Sequence, residues 1–272
     1  MTPEDYAKFT ERLRERLADD ERVLGLVALG SMAAIDYVPD AWSDHDFFVI
    51  VASGEQARFR TDLSWLPDRE RVAFSFLETE HGVKVVYDDG HLLEFAVFDD
   101  RELDLARVNR YRVLLDRGDL ERRMGELRAV TVRATEGSAR DDVWLFGQFL
   151  TNLLVGVGRY WRGERLSGHA FVKKHAVNHL LVLLARHAPA ERASLLDDLD
   201  PWRRFDLVHE RLGAEIDALL GEPVPVAASG LLDLAVRELG RVPAFPAAAA
   251  DLVGRRITYG AGSGSDRVDR DR

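Results

Sequence analysis

Gly30 and Ser31 close a short apolar run, and twelve residues later the chain reads Asp44-His45-Asp46 ahead of a second apolar run. At the start of a strand that triplet sends Asp44 and Asp46 to the same side, because alternate residues share a face. Two carboxylates so disposed repel each other unless a cation holds them, and hard oxygen donors of this kind suit Mg²⁺. Gly30 lets the backbone approach a ligand closely, while the Ser31 hydroxyl and nearby amides can hydrogen-bond phosphate oxygens. Glu94 stands alone in the apolar run Leu92-Leu93-Glu94-Phe95-Ala96-Val97-Phe98, where a carboxylate is costly unless paired, protonated or metal-bound. Alternation puts it on the face of Leu92 and Ala96, opposite Leu93, Phe95 and Val97. If its strand lies beside that of Asp44 and Asp46, three acids converge. Such a trio suits metal-assisted phosphoryl or nucleotidyl transfer, in which metal stabilises developing charge and a carboxylate takes a hydroxyl proton.

Each of these residues also has an ordinary use. Asp-x-Asp pairs in acidic proteins are mostly solvated loop residues or caps, and a buried Glu can be satisfied by an arginine. Asp99-Asp100 competes for the role of third acid, but at a strand end it is expected to cap the following helix. The chain has four lysines, Lys8, Lys84, Lys173 and Lys174. The adjacent pair Lys173 and Lys174, on an expected helix with His175, are candidates to contact a triphosphate; otherwise they mark a solvated helical face. Arg162 and Arg165 read as helix-end cations, and Trp144, Phe146, Phe149, Tyr160 and Trp161 as packing of a helical bundle. Arg204 and His209 have an Arg-x4-His spacing that the abundance of arginine explains by chance.

The elements that must position these groups are legible in outline. A helix is expected over Pro3–Ala18, with Pro3 in its first turn and Tyr6, Phe9, Leu13 and Leu17 at helical spacing. Strands follow at Val23–Leu29, Asp44–Val51, Arg71–Leu77, Val83–Tyr87 and His91–Phe98, with a surface helix at Gly54–Trp65. The turn Asp88-Asp89-Gly90 implies an antiparallel hairpin, and Tyr111–Asp116 adds a short edge strand. From about Asp141 the periodicity turns helical, over Asp141–Arg162, Ser167–His187, Pro201–Leu220, Ser229–Leu239 and Pro246–Arg255. The expected class is α+β: a mixed-sheet domain over residues 1–134, a helical bundle over 135–257, and a disordered tail over 258–272.

Composition narrows the class of partner. The 272 residues carry 47 acidic and 37 basic side chains, a net charge of −10, and no cysteine. Disulfides, thiolate metal sites and cysteine nucleophiles are excluded. The acidic balance disfavours nucleic acid, which needs a clustered basic face, and favours cationic small molecules. Asp36, Asp40, Asp88 and Asp89 add to that field. No run approaches about 18–20 apolar residues, so no membrane span is expected, and the charged N-terminus lacks the apolar core of a signal peptide. A cytoplasmic protein is the expectation.

The run L-G-S, twelve residues, D-H-D-F and a distant L-E-F resembles the signature of polymerase-β-type nucleotidyltransferases. Within that superfamily the chain is most similar to the antibiotic nucleotidyltransferases, those acting on lincosamides in particular. WSDHDFFVI, GVKVVYDDGHLLEFAVF, and YWRGERLS after WLFGQFLTNLLVGVG fall in the family's order, so the resemblance spans about residues 20–190. It implies Mg²⁺-dependent transfer of a nucleoside monophosphate from ATP or GTP to a hydroxyl of a lincosamide or aminoglycoside. Asp44 and Asp46 match the metal-binding pair, Glu94 the third acid as ligand or general base, and Gly30 and Ser31 the phosphate-contacting turn. A helical domain that binds the acceptor and a homodimer are implied in the same way. Two positions depart from the pattern: Met32-Ala33-Ala34 after Gly-Ser, and His45 between the aspartates, which is expected to face away from the metals. Transfer to a protein or RNA and a non-catalytic nucleotide-binding module are the alternatives.

Overall fold

A computed structural model describes residues 1–35, 38–138, 140–197 and 199–263. The chain forms two compact units, Met1–Gly137 and Ser138–Arg272, and its class is α+β. In the first unit, helix α1 (Pro3–Ala18) leads into strands β1 (Val23–Leu29) and β2 (His45–Val51). The short helix α2 (Gln56–Thr61) comes next, then β3 (Val72–Leu77), β4 (Gly82–Tyr87), β5 (Leu92–Phe98), β6 (Tyr111–Asp116) and helix α3 (Leu120–Ser138).

Thr2 starts α1 by accepting the Asp5 amide on its hydroxyl, which satisfies one otherwise orphaned donor. Tyr6, Phe9, Leu13 and Leu17 then fall on one stripe and are buried. Each such side chain contributes about 1.5–3 kcal/mol on burial. The strands form one mixed sheet in the order β3-β4-β5-β2-β1-β6. β4 and β5 are the expected antiparallel hairpin, and Gly90 turns it with φ +82°. β6 closes the other edge, antiparallel to β1. β2 and β5 pair in parallel, and the rings of Phe47 and Phe95 stack across that pairing at 5.0 Å.

Period-2 alternation gives the sheet two faces. His45, Phe47 and Val49 point toward α1, and Phe47 and Val49 join its stripe in one core. Phe48, Ile50, Ala96 and Phe98 pack with Leu120, Met124 and Leu127 of α3 in another. That second face also carries Asp46 and Glu94. α3 is an addition to the elements expected from sequence. The Asp116 carboxylate starts it by accepting the amides of Gly118, Leu120 and Glu121 at 2.9–3.1 Å.

The second unit contains α4 (Asp142–Trp161), α5 (Arg165–His169), a π-helical stretch at Ala170–Ala176, and α6 (Val177–His187). After these come α7 (Phe205–Val208), α8 (Glu210–Gly221), α9 (Val224–Leu239) and α10 (Ala247–Ser263). Two expectations are corrected here. The helix expected over Pro201–Leu220 starts only at Phe205 and breaks at His209, whose backbone leaves the helical region (φ −118°, ψ 60°); α7 then folds so close to α8 that a Cβ on Gly213 would meet the Asp206 Cβ at 2.6 Å. α10 runs on through Ser263, into the segment expected to be a tail from residue 258; residues 264–272 lie outside those described. Among the described residues no helix is long and apolar enough to cross a membrane.

Candidate metal centre

The parallel register of β2 and β5 sets Asp46 directly beside Glu94. Asp44, just ahead of β2, completes the group: one carboxylate oxygen from each of Asp44, Asp46 and Glu94 lies within 4.8 Å of the others. All three residues are half-buried, so ligands from solution can reach them. The convergence is a property of the backbone, since adjacent strands lie about 4.8 Å apart and in-register side chains on one face cannot avoid each other.

Gly30 backs onto this group. Its φ is +49°, and a Cβ there would stand 2.7 Å from Asp46 Oδ2. Glycine is therefore required twice, by conformation and by space. Gly30–Ala33 form a 3₁₀ turn directly after β1, with Met32 and Ala33 buried and Ala34 left-handed at φ 51°. The unusual residues after Gly-Ser thus anchor the turn in the core. The Ser31 hydroxyl donates to the Asp44 carbonyl at 3.2 Å, and the Tyr6 hydroxyl donates to the same oxygen at 2.7 Å. Two side chains, one from α1, so fix the peptide that carries Asp44. Arg112 of β6 reaches the turn by donating to the Met32 carbonyl at 3.3 Å.

His45 faces away from the acids, as alternation requires, and is fully buried. Its ring stacks on Tyr6 at 3.7 Å. Nε2 lies 2.9 Å from Thr10 Oγ1, and Nδ1 lies 2.7 Å from His91 Nε2. Thr10 gives its hydrogen to the Tyr6 carbonyl, which leaves His45 Nε2 as donor to Thr10 and Nδ1 as acceptor from His91. Burial, reinforced by His91, pushes His45 down to about 3, so a neutral imidazole wedges the start of β2 against α1.

Three like charges need compensation, and Lys84 of β4 supplies part of it. Register pairs Lys84 with Glu94, and its Nζ lies 2.8 Å from Glu94 and 2.9 Å from Glu78. Those hydrogen bonds, the one to Glu94 first, hold the ammonium above the usual lysine range. Sequence reasoning passed over Lys84, Tyr6 and Arg112; Lys84 had a signal, as a lone lysine ten residues before Glu94 in the facing strand of a recognisable hairpin.

Lys173, in the π-helical stretch of the second unit, donates to the carbonyls of Leu220 (2.7 Å) and Glu222 (2.6 Å). Its ammonium closes the C-terminal end of α8. Lys174, beside it, is exposed. Asp99 caps the turn at Glu102–Leu105 by accepting the amides of Arg101 and Glu102, as expected. Asp88 and Asp89 pair with Arg71 at 2.7 and 3.1 Å, so they add less to the field than their charges suggest. Asp40 accepts the Trp42 amide in its own turn, and Asp36 lies outside the described residues. Phe146 and Phe149 are buried in the helical core.

No family model matches the chain, and no curated protein does. Among solved structures it is similar to an aminoglycoside 6-adenyltransferase from Bacillus subtilis, at 13% identity and TM-score 0.29 over 93% of this chain and 90% of that one. It is also similar to a STING-associated CdnE c-di-GMP synthase from Capnocytophaga granulosa, at 11% identity and TM-score 0.30 over 97% and 82% of the two chains. Overlap at this level carries no weight for substrate or chemistry.

Proposed function

We propose that this chain is a metal-dependent nucleotidyltransferase that moves a nucleoside monophosphate from ATP or GTP to a hydroxyl of a small molecule, of lincosamide or aminoglycoside kind. One observation supports this above the rest: Asp44, Asp46 and Glu94 share a space within 4.8 Å, with Gly30 and Ser31 turning against them. The donor set fits a hard divalent cation such as Mg²⁺. It is all oxygen, and its half-burial leaves it open to water and phosphate oxygens.

A cation bound there supplies charge neutralisation for the triphosphate and the departing pyrophosphate. Asp44 and Asp46 hold it, and the Tyr6 and Ser31 hydroxyls keep Asp44 in register. Glu94 shares the ligation or takes the hydroxyl proton as the acceptor oxygen bonds to the α-phosphorus and the bond to the β-phosphate breaks. Gly30 leaves backbone amides open to phosphate oxygens, and Lys173 and Lys174 are the basic candidates of the second unit. The acceptor is an amine-bearing compound, since the chain's charge of −10 concentrates cations.

The test is pyrophosphate release with Mg²⁺, each nucleoside triphosphate in turn, and a panel of lincosamides and aminoglycosides, with mass spectrometry of the acceptor. The expected product is an acceptor heavier by one nucleoside monophosphate, formed by the wild type and not by Asp46→Asn. Turnover without acceptor modification, or none with any compound, overturns the proposal.

A further inference from the structure

Lys84 is fixed to Glu94 by the fold, since both lie at one register position of the β4–β5 hairpin. Its neighbours Val83 and Val85 are buried on the opposite face, so the lysine has only the acidic face to occupy. There its ammonium touches Glu94 at 2.8 Å from the β4 side, while Asp46 flanks Glu94 from β2, so a divalent cation ligated by Glu94 has to share that carboxylate with Lys84. The second partner, Glu78, is 2.9 Å away and more exposed. A lysine with a flexible four-carbon stem and two acceptors can release one and keep the other.

We propose that Lys84 is a built-in counter-ion that couples metal binding to triphosphate binding. It occupies Glu94 when the site is empty of nucleotide, so it opposes a divalent cation that arrives alone. When the cation arrives with a triphosphate, Lys84 leaves Glu94, stays near Glu78 and turns its ammonium to a phosphate oxygen. Each ligand then helps the other, and the help is reciprocal because both draw on one displaced ion pair. The inference rests on the nucleotidyltransferase reading of this site and adds a phosphate-binding residue to it.

The experiment is calorimetric titration of the full chain with Mn²⁺ alone, with a non-hydrolysable α,β-methylene nucleoside triphosphate, and with the two together. Lys84→Met is expected to bind Mn²⁺ alone about tenfold more tightly, the order expected when one positive charge leaves a partly exposed divalent site. The analogue is expected to bind about tenfold more weakly, and the tightening of one ligand by the other to fall toward none. Lys84→Arg keeps the charge and is expected to stay near wild type. Lys84→Gln gives the same comparison as Lys84→Met if the latter folds poorly. Mn²⁺ affinity that is unchanged or weaker in both uncharged variants overturns the proposal for Lys84. Asp46→Asn separates the two levels. If it abolishes Mn²⁺ binding seen in the wild type, the metal centre stands and Lys84 alone is judged; if the wild type binds neither Mn²⁺ nor analogue, both fall together.

Discussion

Asp46 and Glu94 occupy one register position of the parallel β2–β5 ladder, so two carboxylates 48 residues apart in sequence stand side by side on one sheet face. Like charges set directly across a ladder are destabilising. Lys84, lying against Glu94, offsets part of that repulsion, and solvent reaches the half-buried group.

Replacing Asp44 or Asp46 by Asn removes a charge that would hold metal and relieves part of this repulsion. Each variant is expected to lose transfer and to unfold, without metal, at the wild-type temperature or slightly above it. Thermal unfolding in chelator and in excess Mg²⁺ checks this. Mg²⁺ should raise the midpoint of the wild type only. Clear destabilisation of both variants in chelator would make the pair structural.

Glu94→Gln keeps the shape of the third acid and removes its basicity. Turnover is expected to fall by roughly 10²–10⁴, the range for losing a positioned acid–base group, while nucleotide affinity stays within about tenfold. Single-turnover kinetics beside equilibrium binding separates the two quantities. Near-normal turnover would move the role of third acid away from Glu94.

Gly30→Ala puts a Cβ at φ +49°, 2.7 Å from Asp46 Oδ2. The left-handed conformation alone costs about 1–2 kcal/mol, and the clash displaces the Asp46 carboxylate. Both the unfolding midpoint and Mn²⁺ affinity are expected to drop. A variant with lowered stability and unchanged Mn²⁺ affinity would show that Asp46 does not depend on this turn.

Much of this centre is legible in the sequence because strand alternation assigns Asp44, Asp46 and Glu94 to faces without any knowledge of the fold. Their meeting is not legible. It depends on β5 pairing in parallel with β2, a contact between strands that are not neighbours in the chain. His45 reads correctly as turned away, but its partners Tyr6, Thr10 and His91 come from α1 and the hairpin, and spacing names none of them. The carbonyls that Lys173 caps, at the end of α8 and just beyond it, lie 47 and 49 residues further on, so no local spacing names them. α3 is missed for want of density: its buried stripe is Leu120, Met124, Leu127 and Thr131 among charged neighbours. The break at His209 is invisible because residues on either side keep helical periodicity.

That break supplies the last prediction. His209, between α7 and α8, is buried at 6% exposure, and its Nε2 has no hydrogen-bond partner. Burial holds its pKa below the ordinary 6.5. As pH falls through 6.5 the unfolded chain takes up a proton that the folded chain refuses, so stability present at neutral pH is lost toward acid. One such group gives a slope of at most about 1.4 kcal/mol per pH unit. His209→Phe removes both the titration and the unsatisfied nitrogen, whose burial costs about 1–3 kcal/mol, and a second ring can keep the contact that His209 makes with Phe205 at 4.8 Å. The variant is expected to match or exceed wild-type stability at pH 7.5, with the difference in its favour growing between pH 6.5 and 5. Urea unfolding of both proteins across that range measures it, and parallel stability curves would mean that His209 is satisfied and titrates as it does in the unfolded chain.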